Sequence, residues 1–272
     1  MDRNLKIGIV GLGLIGGSIF KALCALKCNV YASAKSTLTV EKAKKYALNV
    51  SKSLKHLKNC DLIFVCTPMN KTLEILDELN KILSEDTIVV DSCSLKRFVS
   101  SKNYSFKFIP SHPMAGTEFS GFDSSFEALF LGSKWVVTEP EGTETDDIKK
   151  LTDIIKALGA TPVSTTPEKH DEAVALISHM PMLIAQALFK TVENNNLALK
   201  LASSGFRDMT RLALSNTEMA ADMINLNAEN IQKALLKLYT CVGNLLNENY
   251  PSQIKKIKNK REQMYVNGKN IY

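Results

Sequence analysis

The feature that most restricts this chain is a glycine-rich turn near its start. Residues 8–18 read G-I-V-G-L-G-L-I-G-G-S, with Gly11, Gly13 and Gly16 in the spacing G-x-G-x-x-G. Alone, that spacing is weak evidence. Here it follows an apolar run of strand type, Leu5 to Val10, and opens a helical pattern, Leu14 to Leu26. In that setting each glycine has a physical task. The first permits a tight turn, the second lets backbone approach a pyrophosphate, and the third lets helix and strand pack closely. Leu14 and Ile15 lie in the first helical turn, whose unpaired N–H groups face the phosphate charge. A dinucleotide-binding first domain is the expectation; the alternative is a strand-to-helix turn that holds no ligand.

The pattern that follows supports a layered α/β domain. Further strands are expected at Asn29–Ala32, Asp61–Cys66, Thr87–Val90, Phe106–Ile109, Trp135–Thr138 and Thr161–Ser164. Helices are expected at Thr39–Ala47, Lys71–Leu83 and Asp146–Leu158. Short, nearly all-apolar strands alternating with helices predict a mostly parallel sheet covered on both faces. After Pro167, itself suited to a first helical turn, the chain to Tyr250 reads as helix. The expected division is residues 1–165 for nucleotide binding and 166–272 for a helical domain, which would hold substrate and pair with a second copy.

Composition excludes several classes. Hydrophobic residues make up 45% and charged residues 23% of 272 residues, which is globular. The formal net charge of +6 is scattered except for a run around Lys255, Lys256, Lys258, Lys260 and Arg261, most simply a solvated helix end, so no nucleic-acid partner is expected. Six cysteines without C-x-x-C spacing suit a reducing compartment. Four histidines form no metal motif, and no metal is expected. With no visible signal peptide and no apolar run judged long enough to span a bilayer, the expectation is a cytoplasmic protein with no membrane partner.

The choice of dinucleotide turns on the end of the second strand. Enzymes that prefer NAD usually carry a carboxylate there for the ribose 2′-hydroxyl. Val30 to Ser36 reads V-Y-A-S-A-K-S, without Asp or Glu. Ser33, Lys35 and Ser36 stand where a 2′-phosphate would sit, which favours NADP, with NAD as the alternative. Lys35 could equally be a plain exposed turn residue.

Ligands of open parallel sheets bind outside the carboxyl ends of the strands. Three polar clusters are expected there: Cys66-Thr67-Pro68, the segment Asp91 to Lys96, and the segment Ser111 to Glu118. His112, on a constrained loop before Pro113, is the candidate base, because a histidine titrates in the useful range. Ser94 could orient its ring. In the helical half, His179 lies in an apolar helical stretch, where a satisfied core histidine is the plainer reading. Arg207 and Arg211 are four apart on one helix face, with Asp208 beside them, and arginine grips carboxylate as a fork. Taken alone, a surface ion pair explains them as well.

Together these segments resemble the prephenate and arogenate dehydrogenase family of tyrosine biosynthesis. The matching pieces are G-L-G-L-I-G-G-S at 11–18, C-T-P at 66–68, D-S-C-S-L-K at 91–96, H-P-M-A-G-T-E at 112–118, I-S-H-M-P at 177–181 and S-S-G-F-R-D-M-T-R at 203–211. The resemblance implies a Rossmann-type α/β domain followed by an all-α domain, a homodimer formed through the helices, and oxidative decarboxylation of a cyclohexadienyl substrate. It implies that His112 is the catalytic histidine with Ser94 beside it. Thr117 and Glu118 would adjoin the pocket and His179 would be a pocket histidine. Arg211 would bind the ring carboxylate, with Arg207 nearby. Cofactor contacts would come from Gly11, Gly13, Leu14, Ile15, Gly16, Ser33, Lys35, Ser36, Cys66, Thr67 and Pro68. Two departures, Met182 where many prephenate-using members have a second histidine and the missing carboxylate of the second strand, resemble the NADP-using arogenate branch. Prephenate with NAD is the alternative. Another dehydrogenase joining a Rossmann domain to helices, or a non-catalytic dinucleotide sensor, would need no combination of His112, Ser94 and Arg211.

Overall fold

The computed structural model describes every residue except 1, 3, 118, 140, 141, 248, 267, 268, 271 and 272. Its first half is built on a six-stranded parallel sheet: β1 (Lys6–Val10), β2 (Asn29–Ser33), β3 (Val50–Ser51), β4 (Leu62–Val65), β5 (Ile88–Asp91) and β6 (Lys107–Ile109). The spatial order is β3-β2-β1-β4-β5-β6. The chain runs outward from β1 to β3, then returns to lay β4 against the other side of β1. That reversal opens a crevice outside the carboxyl ends of β1 and β4, where a doubly wound sheet takes its ligand.

Alternation of side chains explains the two covered faces. Ile7, Ile9, Leu62, Phe64, Ile88 and Val90 join one cluster with α1 (Leu14–Ala25) and α5 (Thr145–Ala157). Val10, Ile63, Val65 and Val89 face the other way, onto Leu76 and Leu79 of α3 (Met69–Leu79). The helix after β2, α2 (Thr37–Ala43), starts at Ser36, whose hydroxyl accepts from Thr39 N at 3.3 Å. It is shorter than the expected Thr39–Ala47 pattern at its far end.

The later strands correct the expectation of a single sheet. β7 (Ser111–Pro113), β8 (Lys134–Thr138) and β9 (Thr161–Thr165) form a second sheet, antiparallel between β7 and β8 and parallel between β8 and β9. The cause is Pro110. It has no N–H to continue the first ladder, and its carbonyl instead accepts from Thr138 N at 2.9 Å. One extended segment therefore serves two sheets, and the turn between them aims His112. A short helix, α4 (Lys96–Val99), lies between β5 and β6.

The helical half begins with α6 (Pro167–Val174). Thr166 caps it by accepting from Lys169 N, and Pro167 occupies the first turn. Its axis runs on through one turn of π-helix, Ala175–His179, into α7 (Met180–Val192). At about 3.6 residues per turn, the step from His170 to His179 would put the two on opposite faces. The extra residue taken up by the π turn swings His179 back by roughly 100°. The continuous helix Pro167–Val192 has 26 residues and a window of mean hydropathy 1.4. By length and composition alone this segment passes for a bilayer-spanning helix. It carries the buried polar residues His170, Asp171 and His179, all bonded to the rest of the protein.

Beyond α7 come α8 (Asn196–Leu201), α9 (Ser204–Thr210), α10 (Thr217–Leu226), α11 (Ala228–Asn247) and α12 (Tyr250–Met264). A third apolar cluster ties the halves together: Met69, Cys93, Leu95 and Val99 meet Val174, Met182, Ala220 and Met223.

Candidate functional site

The glycine turn lies at the mouth of the crevice. Gly11 has φ of 87°, and a Cβ there would stand 2.6 Å from the Cys66 carbonyl oxygen, so both backbone angle and space demand glycine. A Cβ on Gly16 would collide with the Gly11 carbonyl oxygen, which fixes how closely α1 approaches β1. Gly13 is different: a Cβ there would meet nothing within 4 Å. Gly13 is also the N-cap of α1, with no side chain capping the helix and no acidic residue in its first turn, the turn of Leu14 and Ile15. Free backbone donors therefore face open space, an arrangement that fits a pyrophosphate.

The turn after β2 is polar and carries no carboxylate. Ser33 is buried, and its carbonyl accepts from Gly11 N at 2.8 Å. Lys35 and Ser36 are exposed. Lys52, which was not anticipated, places Nζ 3.3 Å from Thr37 Oγ1, so a second cation stands at this turn. Cys66, Thr67 and Pro68 follow β4; Cys66 N donates to Val10 O at 2.7 Å, and Thr67 Oγ1 lies 3.0 Å from Thr72 Oγ1. Burial pushes the Cys66 thiol up to about 12, which leaves it inert.

The carboxyl ends of β4, β5 and the β6–β7 segment do meet. Ser92 N donates to Val65 O at 3.1 Å, Ser111 N donates to Asp91 Oδ1 at 2.9 Å, and Cys93 Sγ lies 3.2 Å from Thr72 Oγ1. At the centre is a fully buried ion pair that pattern reading missed. Lys96 Nζ lies 2.5 Å from Asp91 Oδ2 and also donates to the Ser111 carbonyl. Trp135 Nε1 donates to Ser111 Oγ at 3.0 Å. The residue before His112 is thus held from three sides.

His112 itself meets a partner that the sequence did not suggest. Its Nδ1 lies 3.0 Å from His170 Nε2, and His170 Nδ1 lies 2.7 Å from Asp171 Oδ1. This corrects the expectation that Ser94 orients the ring; among the described residues Ser94 makes no hydrogen bond. Asp171 also accepts from Lys96 N at 2.8 Å and Arg97 N at 3.0 Å, so one carboxylate of the helical half ties down both α4 and His170. Burial first, then the fields of His170, Lys96 and His179, holds His112 well below the usual histidine range. His179 is buried as well, its Nδ1 3.1 Å from Asn227 Nδ2, and burial lowers it to about 4. Asn227 Nδ2 also donates to the Asp171 carbonyl, and Asn230 Nδ2 donates to Asn227 Oδ1. A sequence signal for part of this existed: His170 and Asp171 are adjacent polar residues on the inward face of an otherwise amphipathic helix.

The remaining candidates stand apart. Thr117 is exposed, its hydroxyl accepting from Phe119 N at 3.3 Å, and Glu118 lies outside the described residues. Arg207 is exposed in α9, with Nε 3.5 Å from Asp208 Oδ1. Arg211 follows α9 with helical backbone (φ −54°, ψ −38°) and opens a 3-10 turn. Among the described residues nothing joins either arginine to His112. Met182 is buried in the apolar cluster between the halves. Among the described residues no group of His, Cys, Asp or Glu could hold a metal ion.

A glycine cradle at the switch point of a Rossmann-type sheet, and a buried histidine chain where a helical domain docks against it, define a two-domain dinucleotide-binding protein of the dehydrogenase type. Residues 21–164 match the family described as prephenate dehydrogenase, nucleotide-binding domain, and residues 166–248 match prephenate dehydrogenase, dimerization domain. The chain belongs to the prephenate dehydrogenase family. It is 32% identical to an arogenate dehydrogenase of Synechocystis of known structure, with TM-score 0.80, over 96% of this chain and 97% of that one. A prephenate dehydrogenase from A. aeolicus, solved with hydroxyphenyl propionate and NAD+, is 27% identical with TM-score 0.84, over 95% and 98% of the two chains. The prephenate dehydrogenase of Bacillus subtilis is 28% identical over 82% of this chain, which spans 64% of that protein's length.

Proposed function

We propose that this protein oxidatively decarboxylates arogenate to tyrosine with NADP. The observation that carries the reading is His112. It is a neutral imidazole on the carboxyl edge of the sheet, on the side of the glycine cradle, with one ring nitrogen committed to His170. A bound nicotinamide dinucleotide would supply the hydride acceptor. The chain's own part is to hold the substrate and take a proton. His112 accepts the proton of the 4-hydroxyl, Ser94 lies alongside, and Arg211, with Arg207 near it, grips the ring carboxylate as a fork. His179, Thr117 and Glu118 complete the pocket. Loss of carbon dioxide leaves an aromatic ring, which drives the reaction.

Gly11, Gly13, Gly16, Leu14 and Ile15 would hold the pyrophosphate, Cys66, Thr67 and Pro68 the adjoining wall, and Ser33, Lys35 and Ser36 the ribose. The NADP reading is supported by Lys35 and Lys52 at a turn without a carboxylate. The arogenate reading is supported by the Synechocystis match and by the apolar Met182. Prephenate with NAD is the second reading, favoured by the A. aeolicus and Bacillus relatives. The nucleotide-binding part is residues 1–165 and the helical part 166–272. The helical part pairs two copies, and exposed Leu197, Leu201, Leu236, Tyr239 and Leu246 give it an apolar face to bury. Six free cysteines suit a cytoplasmic protein.

The test is a matrix of initial rates, arogenate and prephenate each with NADP and NAD. Turnover with arogenate and NADP is the expected result, and turnover mainly with prephenate overturns the substrate assignment. His112→Asn should abolish turnover while dinucleotide still binds; unchanged turnover would remove the base.

A further inference from the structure

We propose that His170 is a positioning residue that, held by Asp171, fixes His112 in the tautomer protonated on Nδ1 and so leaves Nε2 bare to receive a proton. This rests on the reading of His112 as the base. Asp171 anchors this chain of bonds. Its oxygens accept the backbone N–H groups of Lys96 and Arg97, which can only donate. His170 Nδ1, 2.7 Å from the same Oδ1, therefore carries hydrogen. A neutral His170 then has its lone pair on Nε2, and the atom facing it at 3.0 Å is His112 Nδ1. That bond is made only if His112 Nδ1 carries the hydrogen. Of the four ring nitrogens, three are thereby committed in order from the carboxylate outward, and His112 Nε2 is the one left over.

Burial supports the same assignment, since it keeps the His112 ring uncharged and a neutral imidazole has one bare nitrogen. The charged and titratable groups around the pair are Asp171 on α6, Lys96 on α4 with its partner Asp91 on β5, and His179 on the π turn. Among the described residues none of these groups hydrogen-bonds to His112, so it is His170 that reads its tautomer. When His112 Nε2 takes the proton of a hydroxyl, the O–H bonding pair stays on oxygen, and the new charge on His112 is shared through Nδ1–H with His170. Because His112 is on β7 and His170 on α6, the base is set correctly only when the helical half is docked.

The test combines spectroscopy with two variants. The protein has four histidines, so selective 15N labelling gives a short set of ring signals to assign. At pH 7.5, nitrogen-15 NMR should show His112 protonated on Nδ1 and bare on Nε2 in the dinucleotide-free protein. His112 protonated on Nε2, or His170 protonated on both nitrogens, overturns the proposal whatever the activity. Absence of turnover with this tautomer intact would instead count against the functional reading. His170→Leu should let His112 change tautomer and lower kcat about 10- to 100-fold with little change in KM. His170→Gln, which keeps an acceptor for Nδ1–H, should restore both tautomer and most of kcat. Equal loss in the two variants would reduce His170 to a packing role.

Discussion

Acid should unfold this protein through its buried histidines, and His179 allows the size to be worked out. Burial takes its pKa from 6.5 to about 4, while the unfolded chain keeps the ordinary value. The unfolded state therefore binds the extra proton between those two pH values. Stability is complete above pH 6.5 and falls as pH drops towards 4. At about 1.4 kcal/mol per pH unit, this one ring is worth about 3 kcal/mol, most of it lost by pH 4.5. His112, lowered for the same first reason, adds to the loss in the same window. Urea unfolding followed by circular dichroism at pH 7.5, 6.5, 5.5 and 4.5, at one protein concentration, gives the curve. His179→Gln is expected to start less stable, since it loses the Asn227 contact, and to fall less steeply. A pH curve for the variant parallel to that of the native protein would refute the argument, because the slope would then come from other groups.

Other outcomes follow from particular contacts. Gly13→Ala should leave the melting temperature unchanged while weakening dinucleotide binding in calorimetry, whereas Gly16→Ala should cost about 1–3 kcal/mol of stability through collision with Gly11. Lys96→Met removes one half of a fully buried pair and leaves Asp91 uncompensated; denaturant unfolding should show a loss of about 3–5 kcal/mol, while removing the exposed Lys233 of the Lys233–Glu229 pair should show none. Lys35→Glu should weaken NADP binding by about tenfold or more, some 1.4 kcal/mol, and leave NAD binding intact; equal effects on both would remove Lys35 from the ribose site.

The parallel sheet was legible because apolar runs such as Asp61–Cys66 and glycine spacing are local properties. The second sheet was not, since it depends on Pro110 parting one extended segment between two ladders, and Phe106–Ile109 reads as an ordinary strand that simply ends. His112 was found from its flanking residues, but its partner was not. His170 lies 58 positions away, and nothing local shows that α6 will dock beside β7. Lys96 was in plain view after Asp91, yet its complete burial follows only from the convergence of three strand ends. The π turn left no mark in the hydrophobic pattern, which continues through Ala175–His179 at ordinary helical spacing.

That single irregular turn also acts as a phase setting between two surfaces. Residues before it face the histidine chain, while α7 after it supports α9 and the 3-10 turn that carries Arg211. Deleting one residue from 175–179 would restore a regular helix and leave its composition almost unchanged. Winding all five residues into regular α-helix instead would rotate everything beyond by roughly 100°, turning His179 off its Asn227 partner and carrying the exposed apolar face around with it. The length of this turn, more than the chemistry of its side chains, sets the phase of the later helices against the nucleotide-binding half.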